Sequence, residues 1–278
     1  VNGTHLPPQL LALDVDGTLV EPRKPIRPAV VDAVRRSIAA GVKTTIVTGR
    51  MFVAAKPLVE TLGIRIPIIC YQGAVLANSQ TGRFEREVSM PNAVALRIYR
   101  VAKEHGLHVQ FYRDDRFYVE QNNAYAQLYA KTSSSEPIVV PSLPEAFAGH
   151  DSTKVNIVVK PEKTPEIYEL MLRTCGDDAY VTRSNPEFVE MMNPQVDKGV
   201  ALRILAEKLG VPMDRVMAIG DSYNDLPLLE TAGFAVAMGS APPEVKAQAD
   251  ATTGDVLEDG VAQAIDRYVF GEVARTGA

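Results

Sequence analysis

Apolar positions along this chain come in short runs, separated by segments whose apolar residues recur at helical spacing. Residues 10–15 form an apolar run, residues 28–40 place Val31, Val34 and Ile38 at i, i+3 and i+7, and residues 42–47 read as a second strand. One helical face between two short strands predicts a strand–helix–strand unit. Gly41 follows the helical stretch and suits the left-handed residue that ends a helix. A second helix is predicted over 52–62; Pro57 inside it lacks an N–H, so a bend is expected, and Gly63 closes it before a strand at 66–71. The rhythm returns late in the chain, where helices at 199–208, 226–232 and 243–249 alternate with strands at 215–219 and 234–237. Strands apolar throughout, such as 216–219, suit a parallel sheet covered on both faces.

From about residue 83 to residue 190 the order changes. One helix (92–104), two close strands (107–112, 117–120) and a helix (124–131) lead into an irregular stretch rich in Ser and Pro. A strand (155–159), a helix (165–173) and two short strands (180–182, 188–191) follow. Asp114-Asp115 falls where a hairpin turn belongs, and Ile167, Leu170 and Met171 give the stripe of a helix packed on a sheet. This order is α+β. It predicts an α/β protein with a doubly wound parallel-sheet core at residues 1–83 and 190–278, interrupted by an α+β insert at 84–189. Residues 133–137 are too short a low-complexity patch to form a linker, and no internal repeat is evident.

At a nominal ~150 residues per domain, 278 residues leave room for both parts. A content of 46% hydrophobic and 23% charged residues is that of a globular chain rather than a disordered one. Lys and Arg number 29 against 34 Asp and Glu, a net charge of −5, which argues against nucleic acid as a partner. Cys70 and Cys175 form no C-x-x-C pair and the four histidines are scattered, so neither a disulfide framework nor a zinc spacing is present. No apolar run reaches the roughly 18 residues of a membrane span. With no basic flank or apolar signal core at the start, a cytoplasmic soluble protein is expected, and Asn2-Gly3-Thr4 reads as a chance glycosylation triplet.

Residues 11–18, Leu-Ala-Leu-Asp-Val-Asp-Gly-Thr, run an apolar strand into two acids and a glycine. In an open parallel sheet, ligands bind beyond the carboxyl ends of the strands, which is where Asp14 and Asp16 fall. Side chains two apart in extended chain project to one side, and two carboxylates held there repel unless a cation or a proton lies between them. Thr48-Gly49-Arg50 ends the second strand, bringing a hydroxyl and backbone N–H groups to the same edge, beside a helix start suited to anions. Asp197-Lys198-Gly199 opens a helix, with Asp197 as N-cap and Lys198 as a fixed charge. Gly220-Asp221-Ser222-Tyr223-Asn224-Asp225 follows another apolar strand and delivers further acids.

Taken singly, these segments read equally well or better as a polar turn, a helix cap and a solvated lysine. Together they make one chemistry. Asp14, Asp16, Asp221 and Asp225 form a hard oxygen site that favours Mg²⁺, while Lys198 and Thr48 offer a positive charge and a hydrogen bond to an anionic substrate. The fitting substrate is a phosphate carried by a small metabolite. Arg50 is placed to reach that substrate or, equally, to pair with a helix neighbour. His105, His108 and His150 read as surface or satisfied residues, Cys70 as a buried small hydrophobe, and Met191-Met192 as core.

These four segments resemble those of the haloacid dehalogenase-like hydrolases, and within them the Cof-type phosphatases, which carry a large cap between the second and third motifs. The resemblance spans nearly the whole chain. Asp-x-Asp-Gly-Thr at 14–18 combined with Gly-Asp-x-x-Asn-Asp at 220–225 carries it, with Tyr71-Gln72-Gly73-Ala74 and Glu258-Asp259-Gly260-Val261-Ala262 as further landmarks. It implies a Rossmann-like core with an α+β cap closing over the carboxyl-edge cleft, and hydrolysis of small phosphomonoesters. It implies Asp14 as a nucleophile forming an aspartyl-phosphate, and Asp16 as the acid that protonates the leaving oxygen and then the base that activates water. By the same resemblance Thr48 and Lys198 hold phosphoryl oxygens, and Gly49, Arg50 and Asn224 lie against the substrate. Mg²⁺ takes Asp14, the main-chain carbonyl of Asp16, and Asp221, with Asp225 bracing these ligands from behind.

Gln72, Ser240 and Val256 stand where the family usually has Asn. The acid at Asp16 separates this chain from ion-pumping ATPases, which carry Lys there, and from dehalogenases, which lack the acid. A sugar phosphomutase is the alternative reading. A non-enzymatic receiver-like switch is a third, disfavoured by the large insert and by Asp16, since a switch has no leaving group to protonate.

Overall fold

The computed structural model describes residues 6–21 and 24–271; the Asn2-Gly3-Thr4 triplet lies outside them. Five parallel strands form one sheet in the order Ala251–Thr252, Phe234–Ala237, Val216–Gly220, Leu10–Leu13, Lys43–Ile46. The chain enters at Leu10–Leu13 and later returns beside it, so the strand order reverses between Leu10–Leu13 and Val216–Gly220. Such a switch point opens a crevice at the carboxyl ends of these two strands.

Side-chain alternation explains why both faces are covered. Leu11, Leu13, Met217 and Ile219 point to one apolar cluster with Val30 and Val34 of helix Pro28–Ala39 and Ile265 of helix Gly260–Tyr268. Leu10, Ala12, Val216 and Ala218 point to the other, with Leu202 and Leu205 of helix Lys198–Lys208 and Leu228 of helix Leu226–Thr231. Gly41 (φ 90°) and Gly63 (φ 74°) take the left-handed conformation just after their helices. Helix Phe52–Leu62 continues through Pro57. The carbonyl that this proline leaves without a helical donor belongs to Val53, which is exposed to water.

Val75–Ala77 pairs antiparallel with Ile68–Cys70 on one side and Phe84–Glu87 on the other in a small sheet, joined to the first through a Val47–Ile69 bridge. Neither 75–77 nor 84–87 leaves an alternating signature in the sequence, since one is three residues long and the other is largely charged.

A second large sheet has the order Tyr180–Asn185, Phe188–Met192, Val155–Val158, His108–Arg113, Arg116–Val119, Ile138–Val139, antiparallel except for the last pair. The stretch expected to be irregular holds the two-residue strand Ile138–Val139 and the one-turn helix Leu143–Ala146. Helices Asn92–Glu104 and Thr164–Cys175 cover one face through Ala95, Ile98, Ile167 and Met171. The opposite face contributes Tyr112, Phe117, Phe188 and Met192, with Tyr129 of helix Ala124–Ser133, to the same apolar cluster as Leu11 and Leu13. The second sheet is thereby seated on the first. Among the described residues, no helix is long and apolar enough to cross a membrane.

One polar contact fixes that seating. Asp114 and Asp115 both lie at φ 54° in the turn of the hairpin His108–Arg113/Arg116–Val119, the left-handed pair that a two-residue turn demands. The Asp115 carboxylate accepts the N–H groups of Phe52 (2.9 Å) and Val53 (2.7 Å), capping that helix from across the interface, and the Tyr71 hydroxyl at 2.9 Å. Asp115→Ala should lower stability by about 1–2 kcal/mol, a typical cap loss. It would be read as a shift of the urea midpoint at unchanged m value; an unchanged midpoint would contradict it.

Candidate active site

Strand Leu10–Leu13 hands the chain to Asp14, whose N–H still extends the ladder to the Ile219 carbonyl at 2.9 Å. Asp14 is 4% exposed, and its carboxylate accepts the Lys198 ammonium at 2.6 Å. Lys198 opens its helix behind the N-cap Asp197, which accepts the Val200 N–H at 2.7 Å. The same ammonium also binds Asp225. The second oxygen of Asp225 accepts the N–H groups of Asp221 (3.0 Å) and Ser222 (3.1 Å), folding the loop after Val216–Gly220 onto its own acid. Asp221 accepts the Thr18 hydroxyl at 2.8 Å. Gly17 lies beneath it at φ 89°, where a Cβ would stand 2.3 Å from an Asp221 oxygen. Both the backbone and the space require glycine there.

One carboxylate oxygen from each of Asp14, Asp221 and Asp225 lies within 4.8 Å of the others. Burial, and then the charge of Asp225, push Asp14 well above the ordinary carboxyl range against the pull of Lys198. Burial and Asp225 likewise raise Asp221, to about 6, against the Thr18 hydrogen bond. Burial alone would lower Lys198, yet Asp14 and Asp225 outweigh it and hold its pKa above the usual lysine value. Three carboxylates against one ammonium leave a surplus of negative charge on hard oxygen donors, a set that fits a divalent cation.

Asp16 departs from the expected grouping. Its carboxylate is outside the three-acid cluster and is gripped by the Arg50 fork, Nε at 2.9 Å and Nη2 at 2.6 Å. Regular strand ends at Leu13, and the chain then curls so that the Gly17 N–H meets the Val20 carbonyl at 2.9 Å. The same-side rule of extended chain therefore does not carry to Asp16. The Arg50 guanidinium is committed to Asp16 rather than to a helix neighbour, and Arg50 lines the cavity described below. Thr48 is fully buried, and its hydroxyl accepts the Arg50 N–H at 3.1 Å. Asn224 donates to the Gln72 side-chain carbonyl at 3.2 Å.

These groups surround a cavity of about 90 Å³ with Asp14, Asp16 and Asp221 on its floor and Tyr129, Lys154 and Glu190 on its roof. Gly49, Arg50 and Asn224 also line it, while Thr48, Lys198 and Asp225 stand behind the lining. Thr18, Lys154 and Glu190 are not among the residues that the sequence marks out. Thr18 at least lies inside the Asp-x-Asp-Gly-Thr run, whereas Lys154 and Glu190 meet only through strand pairing. None of the described histidines lines the cavity; His108 is held at about 4 by burial and stacks on Tyr125.

Residues 11–265 match the family described as haloacid dehalogenase-like hydrolase. The chain belongs to this family of hydrolases. The pyridoxal phosphate phosphatase YbhA of Escherichia coli is 30% identical, across 94% of this chain and 99% of its own. The 5-amino-6-(5-phospho-D-ribitylamino)uracil phosphatase YcsE of Bacillus subtilis is 30% identical, across 94% and 96%. A haloacid dehalogenase-like hydrolase from Bacteroides thetaiotaomicron superposes with a TM-score of 0.83 at 29% identity, across 94% of this chain and 99% of that one. This hydrolase is of the Cof type and is a phosphoric monoester hydrolase. Two of its departures from the family pattern lie off the cavity: Ser240 is exposed on a loop, and Val256 packs on the apolar cluster. Gln72, by contrast, joins the wall behind it.

Proposed function

We propose that this hydrolase cleaves small phosphomonoesters with Mg²⁺, through an aspartyl-phosphate on Asp14, and that the second sheet with its helices acts as a cap over the cleft. The observation that carries this reading is the buried Asp14–Lys198–Asp225 cluster beside Asp221, facing an arginine-held Asp16 across one small cavity. Lys198 fixes one oxygen of Asp14 and so orients the carboxylate for attack on phosphorus. As the Asp14–phosphorus bond forms, the bond to the leaving oxygen breaks and Asp16 gives that oxygen its proton. Water then attacks the acyl phosphate, Asp16 takes a proton back, and phosphate leaves with Asp14 restored. Arg50 keeps the Asp16 carboxyl aimed through both half-reactions, and Thr48 and Asn224 stand on the phosphoryl side. Asp14, Asp221 and the Asp16 main-chain carbonyl would hold the cation, which offsets the charge of the acids and polarises a phosphoryl oxygen when bound.

The cavity accommodates little beyond a phosphoryl group. Asp16 and Arg50 also line an adjoining groove of about 580 Å³, so the leaving group extends there. Pyridoxal phosphate, ribitylaminouracil phosphates and sugar phosphates are the metabolites to try first. Free phosphate should be released from at least one of them in Mg²⁺ and not in excess chelator. Mg²⁺ should also raise the melting temperature of the wild-type protein but not of Asp221→Asn. Isomerised ester without free phosphate, or an equal thermal shift in Asp221→Asn, would count against this reading.

A further inference from the structure

The face of the second sheet turned to the cavity carries a polar cluster that the chemistry above does not use. Glu190 pairs across strands with Asn156, and Lys154, two residues before Asn156, shares its side. Lys154 and Glu190 are 1% and 2% exposed and form an ion pair. The Lys154 ammonium also donates to the Gly49 carbonyl at 3.2 Å and lies 4.8 Å from the centre of the Tyr112 ring. The other Glu190 oxygen accepts the Gln72 amide at 2.9 Å, and Gln72 in turn accepts Asn224 at 3.2 Å. One unbroken hydrogen-bonded chain thus runs from the second sheet to the Thr48-Gly49-Arg50 loop and to the loop of Asp221 and Asp225.

The local backbone points the same way. Tyr71 (φ 53°) and Gln72 (φ 56°) are consecutive non-glycine residues in left-handed conformation, followed by Gly73 at φ 106°. Bulky residues seldom take this conformation, and they persist in it where the surroundings over-determine them, often at functional sites. Here the turn aims Tyr71 at Asp115 and Gln72 at Glu190. The packing leaves no slack, since a Cβ on Gly49 would stand 2.2 Å from the Gln72 amide nitrogen and 3.3 Å from a Glu190 oxygen. A buried ion pair seldom adds stability over apolar residues of the same volume, so stability alone does not account for this one.

We propose that Glu190 and Lys154 are positioning residues of the hydrolase, acting through Gln72 to fix the two loops that present Gly49 and Asn224 to the phosphoryl group. The proposal rests on the phosphatase reading. It separates from a merely structural role because charge and geometry can be removed independently. Glu190→Met alone strands a buried ammonium and should lower both the melting temperature and kcat. Lys154→Met with Glu190→Met removes both charges, so the melting temperature should return toward wild type. The bonds to Gln72 and Gly49 stay lost, and kcat for 4-nitrophenyl phosphate in Mg²⁺ should remain about tenfold or more below wild type, as expected for misplaced catalytic groups. Gln72→Leu, which alters no charge, should lower kcat by a similar factor with KM changed by less than about threefold, and Glu190→Gln, which keeps an acceptor for Gln72, should retain more activity than Glu190→Met. Recovery of kcat together with melting temperature in the double variant, or an unaltered kcat in Gln72→Leu, would overturn the assignment. A wild-type protein that released no phosphate from any ester would overturn the phosphatase reading first, and this one with it.

Discussion

Asp14→Asn is expected to end turnover while leaving the protein at least as stable as the wild type. An amide at this position cannot displace the leaving oxygen, and losses on removing a nucleophile run to about 10⁴-fold or more. The stability half follows from the charges around it. Burial and Asp225 hold the Asp14 carboxyl above its ordinary pKa, so the folded protein binds that proton more tightly than the unfolded chain does. A raised carboxyl pKa contributes stability below the unfolded value, and that contribution is lost as pH rises toward the folded one. As pH rises above the unfolded value the metal-free wild type progressively loses it; the uncharged amide carries no such loss, and Lys198 keeps Asp225 as its partner. Phosphate release should therefore vanish while the melting temperature in chelator, near pH 7, stays equal or rises. Hydrolysis within about tenfold of wild type by the purified variant would remove Asp14 from the nucleophile's role.

The core strands are legible in the sequence because a sheet buried on both faces needs apolar residues at every position, as in Leu10–Leu13 and Val216–Gly220, whose residues are all buried. The convergence of Asp14, Lys198, Asp221 and Asp225 is legible for a related reason: each follows a parallel strand or opens a helix at one edge of that sheet. What the sequence does not reveal depends on the partner a residue meets after folding. Arg50 and Asp16 are 34 positions apart and are joined by the curl after Leu13, which no periodicity encodes. Lys154 and Glu190, 36 apart, meet because two antiparallel strands pair in one register, and a slip of one residue would turn them to opposite faces. Gln72 reads in the sequence only as a departure from Asn. In the fold its longer side chain spans from Asn224 to Glu190.

Lys198→Met should produce the largest loss of stability of any single change at the site, and a loss that depends on pH. The ammonium is 1% exposed and is bonded to Asp14 and Asp225 with Asp221 alongside; without it, three neighbouring carboxylates have no cation. Removing one partner of a buried ion pair typically costs about 3–5 kcal/mol. Turnover should fall by about 10²–10³-fold as well, the scale of losing one charge-stabilising donor at a reacting centre. The pH dependence follows from the carboxyls that already titrate high in the wild type. Asp221 stands at about 6, and Asp14 is raised by burial and Asp225 while Lys198 pulls it down. With Lys198 gone that restraint disappears, so Asp14 titrates higher still, and native-state stability declines with rising pH over a wider window. In chelator the variant should melt closest to wild type at about pH 5, below the value at which Asp221 titrates, and fall progressively further below it toward about pH 8. A deficit that is constant across that range would mean that Lys198 stabilises by packing rather than by neutralising the acids, and an absence of any deficit would mean that the acids do not share its charge at all.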